Sequence, residues 1–185
     1  MLEPFLAINF TPEVIELFSV ENRKGNLRVL DSLKKNYKGQ FSKNIEWELF
    51  DLVLTMEKRL GVYFKSAIIG IKKGPVKKII SKNKFLRKYP QKPIRENEFK
   101  KMIEECQRES FLKLKKETND PFHFILISAK IKEVTIDSKK VFNPIGLIGK
   151  IISLSITNIY LPIDFYQALK KVFSELNIQA SFEID

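Results

Sequence analysis

The sequence predicts an α+β protein made of two β-rich pieces, and three features support this prediction. Short apolar runs with the two-residue alternation of strands recur along most of the chain. Three longer segments change to the 3.6-residue period of amphipathic helices. A glycine–proline pair, Gly74-Pro75, interrupts the pattern in the first half of the chain and marks a boundary between the two pieces.

The chain opens with a predicted antiparallel meander of three strands. Residues 4–10 form an apolar run that ends at Thr11-Pro12, and residues 13–20 alternate after that turn, so the two runs predict a hairpin. A second turn around Gly25 leads into a third predicted strand over residues 27–34.

Helices and further strands fill the rest of the chain. Apolar residues at helical spacing, such as Phe99, Met102, Ile103 and Cys106, predict the helices. The predicted helices are 45–60, 94–112 and 163–176, and residues 113–121 are predicted as a polar loop. The remaining predicted strands are 62–71, 76–87, 122–132, 134–142, 150–160 and 178–184.

The chain carries an excess of positive charge. Its 33 Lys and Arg residues against 22 Asp and Glu give a net charge of +11 at pH 7. Because the lysines are spread along the whole chain, we interpret them as a solvated surface. Attraction to nucleic acid or to anionic lipid is the alternative interpretation.

Few residues are suited to catalysis or to metal binding. The single cysteine, Cys106, excludes an internal disulfide framework and a cysteine-built zinc site, and it is typical of a reducing cytoplasm. Cys106 lies on the apolar stripe of its helix, and the single histidine, His123, lies in a strand-like run without an evident nucleophile beside it. We therefore predict a protein that is not an enzyme, with no catalytic residue, no metal site and no cofactor.

The sequence also bears on location. Glu3 stands where a signal peptide carries Lys or Arg, and the longest apolar stretch, 145–163, is broken by several polar residues. We expect a cytoplasmic protein, associated at most peripherally or indirectly with the inner face of the cell membrane.

Several segments resemble the bacterial cell-division protein FtsA, an actin-like protein, in the order that FtsA proteins show. The matching segments are LAINFTPEVIELFSVE, GVYFKSAIIGI, KPIRENEFKKMIEECQRE, FNPIGLIGKIISLSITNIY and ALKKVFSELNI. The fourth is the most specific, because it is similar to the N-P-x-G motif with a second glycine that leads into a long strand. PilM, the actin-like protein of type IV pili, is the second-ranked resemblance.

The resemblance implies an architecture and a function. Residues 1–72 and 161–185 would form part of an actin-like, ribonuclease H-like subdomain, and residues 75–160 an inserted SHS2 domain, named after its strand-helix-strand-strand order. The implied function is a divisome scaffold of the FtsA type, which tethers FtsZ-like filaments, assembles with further FtsA-like subunits and binds other divisome proteins. The alternatives are an ATP-binding actin-like protein that needs a second lobe, a PilM-like pilus assembly protein, and a basic nucleic-acid-binding protein.

The resemblance also places a degenerate phosphate loop at the first hairpin. Where the actin-like family carries a D-x-G-T-S loop, this chain has Asn9, Thr11, Pro12 and Glu13. The exchange removes a magnesium-organising carboxylate, a glycine and an amide donor, and it adds a negative charge. No aspartate is followed two positions later by glycine, as the second phosphate loop requires.

We predict instead that the chain binds protein partners. The basic segment after residue 71 favours an acidic partner surface, and the N-P-x-G turn marks the inserted domain. The predicted partner-binding residues are Lys72, Lys73, Lys77, Lys78, Phe85, Asn143, Pro144 and Gly146.

Overall fold

The computed structural model describes residues 3–37, 45–72, 74–118 and 120–183. The chain is a mixed α and β protein that divides into two compact units. Unit 1 comprises Met1–Val76 and Pro162–Asp185, and unit 2 comprises Lys77–Leu161. Assignment of unit 2 to the SHS2 type stays a prediction.

Unit 1 is built on a five-stranded sheet. Its strands are β1 (Phe5–Phe10), β2 (Val14–Arg23), β3 (Asn26–Asn36), β4 (Ser66–Ile71) and β9 (Gln179–Phe182). They lie in the order β3-β2-β1-β4-β9. The first three strands pair antiparallel as the predicted meander, whereas β4 runs parallel to both β1 and β9.

The core of unit 1 forms between this sheet and two helices, α1 (Ile45–Leu60) and α3 (Ile163–Glu175). Every second residue of β1 is buried, ending with Phe10, whose ring meets Phe165 of α3 edge to face with centroids 5.5 Å apart. The two helices contact each other, and Lys171 donates to Glu46 across them at 2.8 Å. Burial of apolar faces on both layers is the main stabilising contribution.

Unit 2 combines one long helix with a four-stranded sheet. Its elements are β5 (Lys77–Leu86), α2 (Glu96–Glu117), a 3-10 turn (Pro121–His123), β6 (Phe124–Ile136), β7 (Lys139–Val141) and β8 (Ile151–Pro162). The strands lie in the order β5-β8-β6-β7. The apolar face of α2 packs with alternate residues of these strands, and the members of that core include Phe99, Met102, Cys106, Val134, Ile152, Leu154 and Ile156.

The long helix α2 differs from the predicted one, because its last five residues were predicted as a loop. The segment was predicted to be polar because it contains Lys113, Lys115 and Lys116, and because Ser110 interrupts the apolar stripe before it. In the structure Leu114 is fully buried, and the Ser110 hydroxyl shares a hydrogen bond of 2.8 Å with the Tyr160 hydroxyl. The buried face therefore continues to the end of the helix.

The strands after α2 also differ from the predicted ones. The predicted strands 122–132 and 134–142 are one long strand, β6, followed by a short partner, β7. The turn between them lies at Asp137-Ser138, where both residues have positive φ, 47° and 70°. His123, predicted in a strand, lies in the 3-10 turn instead. Pro121 at the start of that turn and the Asp120 carboxylate, which accepts from the Phe122 N–H, account for the change.

Within the described ranges, none of the helices is both long enough and apolar enough to cross a membrane.

Candidate functional site

The turn between β1 and β2, where the degenerate phosphate loop was predicted, is closed by its own hydrogen bonds. The Thr11 N–H donates to the Val14 carbonyl at 3.0 Å, and the Val14 N–H donates to the Thr11 hydroxyl at 3.1 Å. Pro12 has no N–H to offer. The turn thus lacks the free, converging amides with which glycine turns hold phosphates.

A tyrosine from β3's end covers the same turn. The Tyr37 hydroxyl donates to the Thr11 carbonyl, and the Tyr37 N–H donates to the Glu13 carbonyl at 2.9 Å. Burial raises the pKa of Tyr37 to about 12, so the phenol stays protonated and remains a donor at neutral pH. Both carbonyls of the turn that flank Pro12 are therefore occupied.

Asn9 faces a carboxylate rather than a space for magnesium. Its amide donates to Glu16 at 2.9 Å, and Lys34 lies 3.7 Å from the other oxygen of the same carboxylate. Asn9 is neutral, and Glu13 adds a negative charge to the turn that follows β1. The residues at this turn therefore do not fit a magnesium triphosphate, which needs an aspartate and open amides.

The second predicted feature, the N-P-x-G segment, forms a compact loop in unit 2 between β7 and β8. The Leu147 N–H donates to the Pro144 carbonyl at 3.1 Å, and Gly146 has φ +86° at the third position of this turn. Only glycine adopts that conformation without strain at a type II turn. Asn143 stabilises the same turn, because its side-chain oxygen accepts from the Ile145 N–H at 3.0 Å.

The segment that precedes α2 holds the loop from one side. Ile94 makes two backbone hydrogen bonds to it, as acceptor from Gly146 at 2.9 Å and as donor to Leu147 at 2.8 Å. The Gly149 N–H also donates to the Pro90 carbonyl at 3.1 Å. Backbone hydrogen bonds therefore join the loop to the segment before α2.

Gly149 brings the loop very close to the β6–β7 hairpin. A Cβ built on Gly149 would lie 2.1 Å from Ile136 Cγ2 and 2.9 Å from an Asp137 carboxylate oxygen. The Asp137 carboxylate accepts from the N–H groups of Lys150, at 3.0 Å, and Ile151, at 2.8 Å. These backbone donors lower the pKa of Asp137, so the carboxylate remains charged at neutral pH.

A buried arginine completes the support beneath the loop. Arg87 donates to the Gly149 carbonyl at 3.1 Å and makes a two-point contact with the Glu98 carboxylate at 2.7 and 2.9 Å. Its side chain is 2% exposed. The guanidinium lowers the pKa of Glu98, as expected for a charge-assisted pair.

Despite this support, the loop displays apolar side chains to solvent. We define the apolar loop as residues 142–148. Phe142 is fully exposed and Ile148 is 62% exposed, and Ile145 and Leu147 are each exposed by about two fifths. A cluster of exposed apolar side chains on an ordered loop is typical of an interaction site.

A groove lies beside the apolar loop and shares Phe142 with it. Its volume is about 620 Å³, and it lies between the first turn of α2, the middle of β6 and the end of β7. We call it the β6–β7 groove. Its lining residues are Phe99, Ile131, Lys132, Glu133, Val134, Lys140, Val141, Phe142, Asn143 and Pro144.

The structure brings together only part of the predicted partner-binding set. Asn143, Pro144 and Gly146 share the apolar loop, where Asn143 and Gly146 are exposed and Pro144 is buried. Asn143 and Pro144 also line the β6–β7 groove. The exposed apolar residues of the loop were not among the predicted ones. The sequence signal that could have indicated them is the cluster of large apolar residues around Gly146 and Gly149.

The remaining predicted partner-binding residues lie elsewhere. Phe85 is half-buried and packs against the core of unit 2. Lys77 and Lys78 begin β5, whose far end, Leu86, pairs with Ile151 beside the loop, so roughly 30 Å of strand separates them from it. Lys72 belongs to unit 1, and Lys73 lies outside the described residues.

The reactivity of the single cysteine and the capacity to hold a metal ion can be judged on the described residues. Cys106 is buried, and that burial raises the pKa of its thiol to about 11, so it is not a thiolate at neutral pH. Among the residues described, no group of three or more His, Cys, Asp or Glu side chains is arranged to hold a metal ion.

No protein-family model matches the sequence, and no curated protein matches it. Solved structures do match. One, titled as the PilM-PilN type IV pilus biogenesis complex, superposes with a TM-score of 0.55 and 9% identity, over 97% of this chain and 47% of the other. At that identity the similarity shows the fold alone, which is of the actin-like type that PilM represents.

Two further structures match at a lower level. One is a Bacteroides thetaiotaomicron protein with an actin-like ATPase fold and unknown function, with a TM-score of 0.48, 15% identity and coverage of 98% and 52%. The other is the cytoplasmic domain of EpsL, an inner membrane component of the Vibrio cholerae type II secretion system. Its TM-score is 0.48 and its identity 8%, and the match covers 98% of this chain and 56% of the other. Both scores are too low to indicate a shared fold by themselves. The chain spans about half the length of each of the three matched chains.

We predict that Gly149→Ala destabilises unit 2 by about 1–3 kcal/mol, because the new methyl group collides with Ile136 and the loop has to shift. The matched control is Gly70→Ala in β4, where the added Cβ meets its neighbours at an ordinary 3.7 Å. Urea unfolding followed by circular dichroism measures both changes. Equal stability of the Gly149→Ala variant and the unchanged protein would show that the loop does not pack as described.

Proposed function

We propose that this chain is an actin-like scaffold module that works through protein contacts in a larger assembly and does not hydrolyse nucleotide. The closed β1–β2 turn carries the proposal. Its amide, hydroxyl and carbonyl groups bond to one another and to Tyr37, and Asn9 is bound to Glu16. An actin-like nucleotide site needs those groups to face phosphate and magnesium instead.

Two assemblies are candidates for such a module. The sequence motifs favour a division scaffold of the FtsA type, and the fold comparison favours a pilus assembly protein of the PilM type. FtsA is named by none of the three matched structures that are described above. We therefore place the PilM-type role first and the FtsA-type role second.

The β6–β7 groove is the surface that we assign to the protein partner. Its apolar lining residues include Ile131, Val134 and Val141, and Lys132 and Lys140 line it as well. Glu133 is the single carboxylate among its lining residues, and it lies 3.6 Å from Lys140. This pattern fits a short amphipathic segment of a partner protein that presents apolar side chains with acidic residues beside them.

Calorimetric titration tests the expectation that the chain does not bind nucleotide. We expect no saturable heat when magnesium ATP is titrated into the 185-residue chain at about 1 mM nucleotide. The physical reason is that the β1–β2 turn offers no free amide array and carries the negative charge of Glu13. Saturable binding in the micromolar range would contradict this part of the proposal and favour an ATP-binding protein.

Binding measurements with candidate partners test the scaffold role. We expect the chain to bind the PilN protein of its own genome, and Ile131→Glu to weaken that binding at least tenfold, because it replaces an exposed apolar side chain of the groove by a charge. The matched control is Leu112→Glu, a half-exposed residue of α2 outside the groove. Co-sedimentation with FtsZ filaments, without binding to PilN, would replace the PilM-type role by the FtsA-type role. Binding to neither would contradict the proposal.

A further inference from the structure

The positive charge of the protein is concentrated in unit 2. Residues 77–161 contain 19 Lys and Arg against 9 Asp and Glu, a net charge of +10. The rest of the chain has 14 against 13, a net charge of +1. Lysines occur along the whole sequence, but almost all of the net positive charge therefore lies on unit 2. Such a concentration of charge is typical of a surface that binds an anionic partner.

Five of these lysines surround the apolar loop in the chain and in its hydrogen-bonded neighbours. Lys139 and Lys140 lead into the loop along β7, and Lys150 follows it. Lys88 and Lys92 belong to the segment whose Arg87 and Pro90 backbones bond to Lys150 and Gly149. All five are exposed, and we call them the basic collar: Lys88, Lys92, Lys139, Lys140 and Lys150.

The carboxylates near the collar are fewer than its cations, because five lysines and Arg87 stand against Asp137, Glu98 and Glu133. Asp137 accepts the N–H groups of Lys150 and Ile151, and Glu98 is bound by the buried Arg87. Glu133 lies 3.6 Å from Lys140 on an exposed surface, where an ion pair is weak. The surroundings of the apolar loop therefore stay positive overall.

The apolar loop combines protruding side chains with a fixed backbone. The side chain of Phe142 has no cover within the described structure, and Ile148 is more than half exposed. Backbone hydrogen bonds to Ile94, Pro90 and Asp137 fix the loop before any partner arrives. A preformed loop loses little conformational entropy on binding.

We propose that unit 2 binds directly to an anionic lipid surface. The apolar loop inserts its side chains at the boundary between headgroups and acyl chains, and the basic collar contacts lipid phosphates. Burial of exposed aliphatic and aromatic side chains together with lysine attraction to anionic headgroups is how interfacial proteins hold on to membranes. This contact needs no membrane-spanning segment. It shares Lys140 and Phe142 with the β6–β7 groove, so a change at Ile131, which lines the groove but lies outside the loop and the collar, is needed to separate the two contacts.

The observations favour a lipid surface over nucleic acid. Binding of single strands depends on aromatic faces on which bases stack. The ring of Tyr89, which lies within the collar, already has the ammonium groups of Lys88 and Lys92 at 5.4 and 4.8 Å from its centroid. In the loop itself, the ring of Phe142 is the one aromatic face, and the other exposed apolar side chains, Ile145, Leu147 and Ile148, have none.

Vesicle co-sedimentation with the full chain tests the proposal. The probes are phosphatidylcholine vesicles with and without about one third phosphatidylglycerol. We expect binding to the anionic vesicles only, with a decrease at about 0.5 M salt because screening weakens the collar's attraction. Lys139→Glu with Lys140→Glu should weaken binding at least tenfold, since each lysine near an anionic surface contributes about fivefold.

Exposed residues of unit 1 provide matched controls. Phe142→Ser with Ile148→Ser should abolish sedimentation, whereas Tyr63→Ser, which removes an equally exposed ring, should not. Lys58→Glu with Lys170→Glu, two exposed lysines of unit 1, should lower binding less than the collar pair. Ile131→Glu should keep vesicle binding, so that loss of the lipid contact and loss of the protein partner are told apart.

A fluorescence measurement reports insertion itself. Trp47 is the single tryptophan and is exposed, so Trp47→Phe with Phe142→Trp places one reporter in the loop. We expect a blue shift of its emission with anionic vesicles and quenching by brominated acyl chains. An unshifted emission, or vesicle binding that survives removal of Phe142 and Ile148, would overturn the proposal. Tight binding of labelled oligonucleotides with no vesicle binding would also overturn it, in favour of nucleic acid.

Discussion

The position of the apolar loop in unit 2 depends on the absence of a side chain at Gly149. No other residue lets the backbone pass within contact of Ile136, where even one methyl group would lie 2.1 Å from that side chain. This approach brings the Lys150 and Ile151 amides to Asp137 and the Gly149 carbonyl to Arg87. These hydrogen bonds fix the backbone at the end of the loop, while most of the loop's apolar side chains are exposed to solvent.

The two units divide the properties that an assembly protein needs. Unit 1 supplies the sheet with β1, β4 and β9 in parallel, but the turn after β1 is closed by its own hydrogen bonds and includes Glu13. Unit 2 supplies an apolar groove, an apolar loop and nearly all of the net charge. Under the proposed function, an actin-like fold carries interaction surfaces in place of nucleotide chemistry.

Much of this fold could be predicted from the sequence, because most of its elements are amphipathic over their full length. The prediction was wrong where burial depends on distant residues. Leu114 is buried in a lysine-rich turn, and Ser110 joins the core through Tyr160, fifty positions away in the chain. The Asn143–Gly146 turn was legible from its residue types, whereas the exposure of Ile148 was not, because an apolar run ordinarily predicts burial. Whether such residues are covered is decided by the packing of Gly149 against β6, which no local pattern contains.

Amide hydrogen exchange at neutral pH tests the central claim that the loop is rigid although its side chains are exposed. The account predicts strong protection for the amides of Gly146, Leu147, Gly149, Lys150 and Ile151, since each one donates a hydrogen bond. The Tyr63 amide, in the exposed segment between α1 and β4, serves as an internal comparison. Exchange of the five loop amides at the rate of an unstructured peptide, while the core of β8 stays protected, would contradict the account.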